Sequence, residues 1–571
     1  MNLPQHVSAG LPVGFAIRHG LLLVLILAAL IRLQAAVNLA CISRDGVQFV
    51  TFAKRLAVEP IPVIRETTRQ PGMSALMLAV NRIAINPVYQ EHPLIWQACG
   101  QLLSVAGGVA VCLLILLLAR RLFRDEWLAL LAGLLACVWP QGVQLSGDVL
   151  SDMPHLALYL SALLVGHAAI ERKCLRRLAL CGLLAALAYL IRQEALGVLA
   201  AVFIGWLWPR PSTTTSRRLA GLVVLSICFV VPVSPYSVAA GRIMPNKTIG
   251  ELLWGSPPPS SSMTCPVHHD FHAFEECHNS GIDVPAPSRD IALRELATAH
   301  LVPWYQAPAR MVEEWSKSGR YIFSTLILFA LFLRSAPKAE RSCARLVLLA
   351  VALQVLAVQL RVKSYGEISS RYLVIPAALC IPWAAAGMAT VVRLPALRMS
   401  LRGRGEEVRP RGKHDVLITE PSFAAQDDRR LRSLWLSASI LVFAPLVYYA
   451  SQQFGADKAS YKLAGWWLRS NTDPKERILA HEDAERIMFY AGRTWPATTW
   501  VHFDIEADLE HIRRLIVEYR PDYYIDAPVS RSGLDRPTTS RPELLGAPEG
   551  WQLKWCSGDL PHEVRIYRPP T

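Results

Sequence analysis

The chain has 571 residues, 52% hydrophobic and 18% charged, with a mean hydropathy of +0.29 and a formal net charge of +14. A soluble protein carries nearer a quarter charged residues, and here the apolar excess arrives in runs of about 17–25 residues, the length that crosses a bilayer, which excludes a soluble enzyme. The positive charge does not mark a nucleic-acid binder, because Lys and Arg cluster in short segments between apolar runs, as on the cytoplasmic side of a polytopic membrane protein.

The first apolar run, 18–38, is too long for a signal-peptide core and reads as an uncleaved first span. Further spans are predicted at 93–119, 126–143, 152–170, 176–191, 195–209, 218–238, 320–334, 344–361, 371–392 and 433–450, about eleven in all. Between spans 1 and 2 lies a first outer loop, 39–92. In it, Asp45-Gly46 precedes Val47, Phe49, Val50, Ala53 and Leu56 at helical spacing, with Lys54 and Arg55 beside them. This pattern predicts an amphipathic helix along the membrane surface. Asp45 is then either the helix N-cap, a position that favours Asp, or a functional acid.

Asp148 and Asp152, in Gly147-Asp148-Val149-Leu150-Ser151-Asp152, are four apart and share a helix face. They stand at the mouth of a span, where an acid is costly unless paired or used. The alternatives are one functional carboxylate or a solvated cap. Arg192-Gln193-Glu194 separates two apolar runs. Arg192 offers a planar fork of donors to phosphate, or else pairs with Glu194 to close a turn. Arg242 and Lys247, just past the seventh span, are candidates of the same kind.

A second outer loop, 239–319, is rich in Pro and Ser and carries Cys265, Cys277 and several histidines. Zinc and a Cys265–Cys277 disulfide compete there; the spacing fits no zinc pattern, and an outer compartment favours the disulfide. The other cysteines form no CxxC pair, and most lie in apolar runs as small core residues. Arg371 opens a span on the outer side, against the charge rule, and so points to an anionic headgroup, with Lys363 nearby.

Basic loops follow alternate spans: Arg120–Arg124, Arg172–Arg177, Arg210–Arg218, Arg334–Arg345, and the densest, 393–432, a polar cytoplasmic loop. The rule that positive loops stay inside then puts the N-terminus in the cytoplasm and the C-terminus outside. Residues 451–571 alternate helix and strand and read as a small extracytoplasmic α/β domain behind a transmembrane domain, 1–450. The predicted helices are 460–470 and 506–519, and the predicted strands 477–480, 498–503, 521–525 and 564–567.

In their order, these features resemble the GT-C superfamily of membrane glycosyltransferases, in particular bacterial relatives of protein O-mannosyltransferases and of the lipid A aminoarabinose transferase. The resemblance rests on several stretches: Asp45-Gly46, the turn Arg69-Gln70-Pro71-Gly72, and the acidic loop with Asp148 and Asp152. It also rests on Gly182 to Ala195, on Arg371-Tyr372 with Pro376, and on Ala464-Gly465-Trp466-Trp467-Leu468-Arg469. It implies a multi-pass enzyme of the inner membrane that moves a sugar from a polyprenyl-phosphate donor to a lipid, glycan or protein acceptor at the outer face. Asp45 would be the base, with Asp148 or Asp152 as the second acid. Arg192, Arg371, Lys363, Lys247 and Arg242 would bind the donor phosphate. In relatives the proline turn can supply an acid to a divalent metal; Arg69-Gln70 offers none, although Glu66 is close, so a metal stays an open expectation. A transporter or flippase, or an inactive relative acting in envelope assembly, are the rival readings. A transporter would be expected to show internal repeats, which the sequence lacks.

Overall fold

The computed structural model describes residues 13–67, 69–208, 214–241, 307–318, 321–332, 339–365, 369–406, 443–448, 452, 458–481, 484–493, 500–503, 509–527, 549–557 and 563–570. Arg242, Lys247, Cys265, Cys277 and most of 393–432 lie outside them.

The first part of the chain is helical: α1 (Val13–Val37), α2 (Arg44–Val58), α3 (Pro60–Glu66), α4 (Gly72–Ala84), α5 (Pro93–Phe123), α6 (Glu126–Cys137), α7 (Pro140–Gly147) and α8 (Asp152–Arg172). There follow α9 (Leu175–Ile191), α10 (Leu196–Leu207), α11 (Thr215–Ala240), α12 (Ala307–Ser318), α13 (Ile322–Phe332), α14 (Arg341–Tyr365) and α15 (Val374–Glu406). Among the described residues, six helices are long and apolar enough to cross a membrane, and seven if the bent pair α6–α7 is one span. The described residues leave out most of the predicted span 433–450, so they do not test the full count of about eleven. Helices α10 and α13 have 12 and 11 residues, shorter than the roughly 17–25 of an ordinary span, and α9, with 17, is at the lower bound.

The span predicted as 126–143 is broken by 53°. Pro140 at the start of α7 has no N–H to continue the ladder, and the open end of α6 is filled by Arg32 from α1. This fully buried guanidinium donates to the carbonyls of Ala136 at 3.1 Å and Cys137 at 3.3 Å. Those carbonyls carry the negative end of the helix dipole and need donors, so a charge inside the bundle is neutralised by backbone.

The apolar face of α2 packs on protein: Val47, Phe49, Val50 and Ala53 are buried in one core cluster, with Met73 and Met77 of α4, Trp96 of α5 and residues of the C-terminal region. Arg55 is also buried, held by Glu59 at 2.6 Å and Glu66 at 2.7 Å.

The C-terminal residues form α16 (Ala459–Asn471), β1 (Ile478–His481), α17 (Glu485–Ala491), β2 (Trp500–Phe503), α18 (Leu509–Tyr519), β3 (Tyr523–Asp526), β4 (Gln552–Cys556) and β5 (Arg565–Arg568). The sheet order is β2-β1-β3-β5-β4, parallel around β1 and antiparallel around β5. Four strands sit within a few residues of their predicted places. Strand β4 and helix α17 are not among the predicted elements: β4 alternates over only a few residues and is mostly exposed, and α17 is buried almost all round and shows no amphipathic period.

Candidate active site

The entry to α2 is built from three directions. Ser43, not Asp45, is the N-cap, its hydroxyl accepting from the Gly46 N–H at 3.2 Å. The Ser43 N–H donates to Asp148 Oδ1 at 3.2 Å, and Asp148 also accepts from the Val149 N–H at 2.7 Å. The Ile42 N–H donates to the Tyr490 hydroxyl at 3.0 Å, which donates in turn to Gln97 Oε1 at 3.0 Å. A Cβ at Gly46 would lie 2.5 Å from Ile42 Cγ1 and 3.1 Å from Val149 Cβ, so only glycine lets the start of α2 close onto the 148–151 turn. Asp45 thus stands in the first helical turn, where the dipole favours an anion.

From Asp45 runs a single file of alternating charge. Arg69 Nη2 donates to Asp45 Oδ1 at 2.9 Å, and Arg371 Nη1 to Asp45 Oδ2 at 2.5 Å. Arg371 Nη2 donates to Asp152 Oδ2 at 2.8 Å, and Arg192 Nη1 to Asp152 Oδ1 at 3.0 Å. Arg192 Nη2 closes the file on Glu194 Oε1 at 2.8 Å. The order Arg69–Asp45–Arg371–Asp152–Arg192–Glu194 sets each charge beside its opposite, which offsets the cost of removing them from water.

Local structure delivers each member. Arg69 lies in the turn before α4; it also hydrogen-bonds Gln48. A Cβ at Gly72 would sit 2.5 Å from the Leu190 carbonyl, so glycine lets this turn abut the end of α9, where Arg192 is the C-cap. Arg371 lies in the 3₁₀ turn Ser370–Leu373 that opens α15. Asp152 starts α8, and the turn before it is pinned from α5: Gln101 donates to the Gly147 carbonyl at 2.8 Å, and Ser104 to the Leu150 carbonyl at 2.9 Å. From α14, Gln354 donates to the Glu194 carbonyl at 2.7 Å.

The acids differ in access. The Asp152 side chain is 1% exposed and that of Asp45 29%. Burial acts to raise the Asp45 carboxyl, but the Arg69 and Arg371 guanidiniums outweigh it and hold it well below the usual carboxylate range. Asp148 is the opposite case: burial raises it, only partly countered by the Ser43 and Val149 N–H groups.

The structure therefore joins Asp45, Asp152, Arg192 and Arg371 and separates them from Asp148. The latter, predicted as an alternative acid facing out of the short loop, is instead turned onto backbone and braces α2. Lys363 falls in α14, with its side chain outside the described residues. Sequence reasoning passed over Arg69 as a cation and missed Gln101, Ser104, Gln354, Glu194 as part of the file, and Tyr490. Gln97, Gln101 and Ser104 did leave a trace: they repeat at helical spacing along an otherwise apolar helix. Beneath the file, His155 is buried and its Nε2 has no hydrogen-bond partner among the described residues.

A divalent cation does not fit this site as built. Each carboxylate of the file already accepts from a guanidinium, the proline turn presents Arg69, and Glu66 is turned to Arg55. Among the described residues, the grouping with ligand-like geometry is His167, Glu171 and Glu340, at the far end of α8.

Residues 97–236 match the family model for dolichyl-phosphate-mannose–protein mannosyltransferase. No curated protein sequence matches the chain. Among solved structures, ArnT from Cupriavidus metallidurans bound to undecaprenyl phosphate has 12% identity and a TM-score of 0.50, over 97% of this chain and 98% of that one. The same protein in its apo state has 12% identity and a TM-score of 0.46, over 89% and 93%. A family model over the central helices and a shared fold over nearly the whole chain thus support the resemblance read from the sequence, to the membrane glycosyltransferases of the GT-C superfamily.

Proposed function

We propose that this protein transfers a sugar from a polyprenyl-phosphate donor to an envelope lipid, glycan or protein acceptor at the outer face of the inner membrane. The observation that carries the reading is Asp45 held between Arg69 and Arg371, at 2.9 and 2.5 Å, with its side chain partly open. A base and the cations suited to a lipid phosphate meet at one point. In an inverting displacement, Asp45 takes the proton from the acceptor hydroxyl or amine as the bond from that atom to the anomeric carbon forms. The bond from that carbon to the phosphate oxygen breaks, and its electron pair leaves on the phosphate. The phosphate gains negative charge in the step, so guanidiniums hold the leaving group better than the donor and lower the barrier.

The same arginines explain how a strongly acidic carboxyl serves as a base. While Arg69 and Arg371 point at Asp45, it is ionised and weakly basic. A donor phosphate that draws either guanidinium toward itself raises the basicity of Asp45 when the acceptor needs it. With α9, α10 and α13 counted as short crossings beside the seven, and the predicted span 433–450 added, this reading has about eleven crossings, with the α/β segment outside. Here Arg192 and Arg371 contact the phosphate, with Lys363, Lys247 and Arg242 as further contacts.

The test is a transfer assay with purified protein and a panel of polyprenyl-phosphate-linked pentoses and hexoses. Donor consumption with release of polyprenyl phosphate is expected. Movement of lipid across vesicles without any release would overturn the reading in favour of a transporter, and neither would leave an inactive relative.

A further inference from the structure

The end of the bundle away from Asp45 holds a cavity of ≈ 780 Å³ between the ends of α5, α8 and α9. Helix α8 runs from Asp152 in the site to Arg172 at this cavity, about 30 Å away at 1.5 Å per residue. Its rim carries five guanidiniums, those of Arg120, Arg121, Arg124, Arg172 and Arg177. Its wall is apolar, formed by Leu117, Leu164, Val165 and Leu180.

The acids at the rim are already committed. Glu126 holds Arg120 at 2.7 Å, and Glu171 lies 3.6 Å from Arg121. Glu340 caps α14 through the N–H groups of Ser342 and Cys343, at 3.0 and 2.7 Å. Arg124, Arg172 and Arg177 remain, with no carboxylate within ion-pair distance among the described residues, so the rim keeps net positive charge. Next to Glu126, Trp127 is 77% exposed, as expected of an indole at a membrane–water interface. Leu180, on the wall, is also exposed.

From this pairing of free guanidiniums with an apolar wall at interface level, we propose that the cavity is a binding site for an anionic glycerophospholipid of the surrounding leaflet. Its phosphate lies against Arg124, Arg172 and Arg177, and an acyl chain lies along Leu117, Leu164 and Leu180. Basic pockets between membrane helices on the positively charged side suit such headgroups. A soluble phosphate would use the rim but not the wall, so the two sources of the same charge are separable.

The experiment is native mass spectrometry of the full-length protein in detergent, titrated with phosphatidylglycerol, with phosphatidylcholine and with inorganic phosphate. Retention of phosphatidylglycerol well above phosphatidylcholine, undiminished by excess inorganic phosphate, is expected. The combined variant Arg124→Gln, Arg172→Gln, Arg177→Gln should weaken retention at least about tenfold. Because fewer arginines can also disturb insertion, Leu164→Trp is the second variant: it fills the wall, keeps every charge, and should lower retention as well. Equal retention of both lipids, displacement by inorganic phosphate, or wild-type retention in the Leu164→Trp protein would each overturn the proposal. The readout is binding, so it stands or falls independently of sugar transfer.

Discussion

Replacing Asp45 by Asn separates a structural from a catalytic role for the same carboxylate. The side chain keeps its shape and one acceptor oxygen. It loses its charge and turns an N–H₂ toward one of two guanidiniums that now sit at 2.9 and 2.5 Å. Each charge-assisted bond contributes about 1.5–3 kcal/mol. Here Arg371 keeps Asp152 and Arg69 keeps Gln48, and the 29% exposure lets water replace part of the loss. The net cost is therefore about 1–2 kcal/mol of stability at neutral pH. The folded carboxyl lies below its ordinary value, so its stabilisation is complete above the unfolded pKa of about 3.9 and fades as pH falls below it. The melting difference between the two proteins should shrink only below about pH 4. As base, Asp45 contributes roughly 10²–10⁴-fold to turnover, which an amide cannot supply. The assay is polyprenyl phosphate release at saturating donor, with melting temperature measured on the same preparations. Since free Asp45 is ionised at all working pH values, kcat/KM should show no acid limb from it between pH 5 and 8. Transfer within threefold of wild type in a folded Asp45→Asn protein would refute the assignment and move the base to Asp152.

Arg371→Ala should raise donor KM about tenfold or more, since it removes the one guanidinium shared by Asp45 and Asp152; Arg371→Lys, with charge but no fork, should fall between. Initial rates across donor concentration give KM and kcat, and unchanged values of both remove Arg371 from the phosphate site. Tyr490→Phe breaks the link from Ile42 through the hydroxyl to Gln97; a loss of about 1–2 kcal/mol in a thermal melt is expected, with lower transfer because α2 is no longer held. Arg32→Met fills similar space but strands the Ala136 and Cys137 carbonyls; thermal stability in detergent should fall by about 2–3 kcal/mol, and an unchanged melt would show that the break needs no donor. For orientation, reporter fusions after Arg411 and after Ser530 should report opposite compartments, as the alternating basic loops require.

The class of molecule was legible from composition and run length alone, because backbone in a bilayer must satisfy itself and long apolar helices do so. Helical and strand periods likewise placed α2, α16, α18 and four strands to within a few residues. Individual site residues stood out where they violated a local rule. Asp45 followed a span, Arg371 opened one against the charge rule, and Arg192 interrupted an apolar run. What each residue met was not a local matter. Asp45, Arg69, Asp152, Arg192 and Arg371 come from widely spaced turns; the packing of α4 on α9 at Gly72 and of α2 on the 148–151 turn at Gly46 brings four of them together, and the turn that opens α15 adds Arg371. Asp148 and Asp152 look equivalent along the chain, two acids four apart. Asp152 was turned to Arg371 and Arg192, and Asp148 to the Ser43 and Val149 N–H groups, because Ser104 and Gln101 of α5 fix the turn between them. Periodicity records which face of a helix is buried; which partner it is buried against is set by contacts between elements far apart in sequence, and those belong to the tertiary structure.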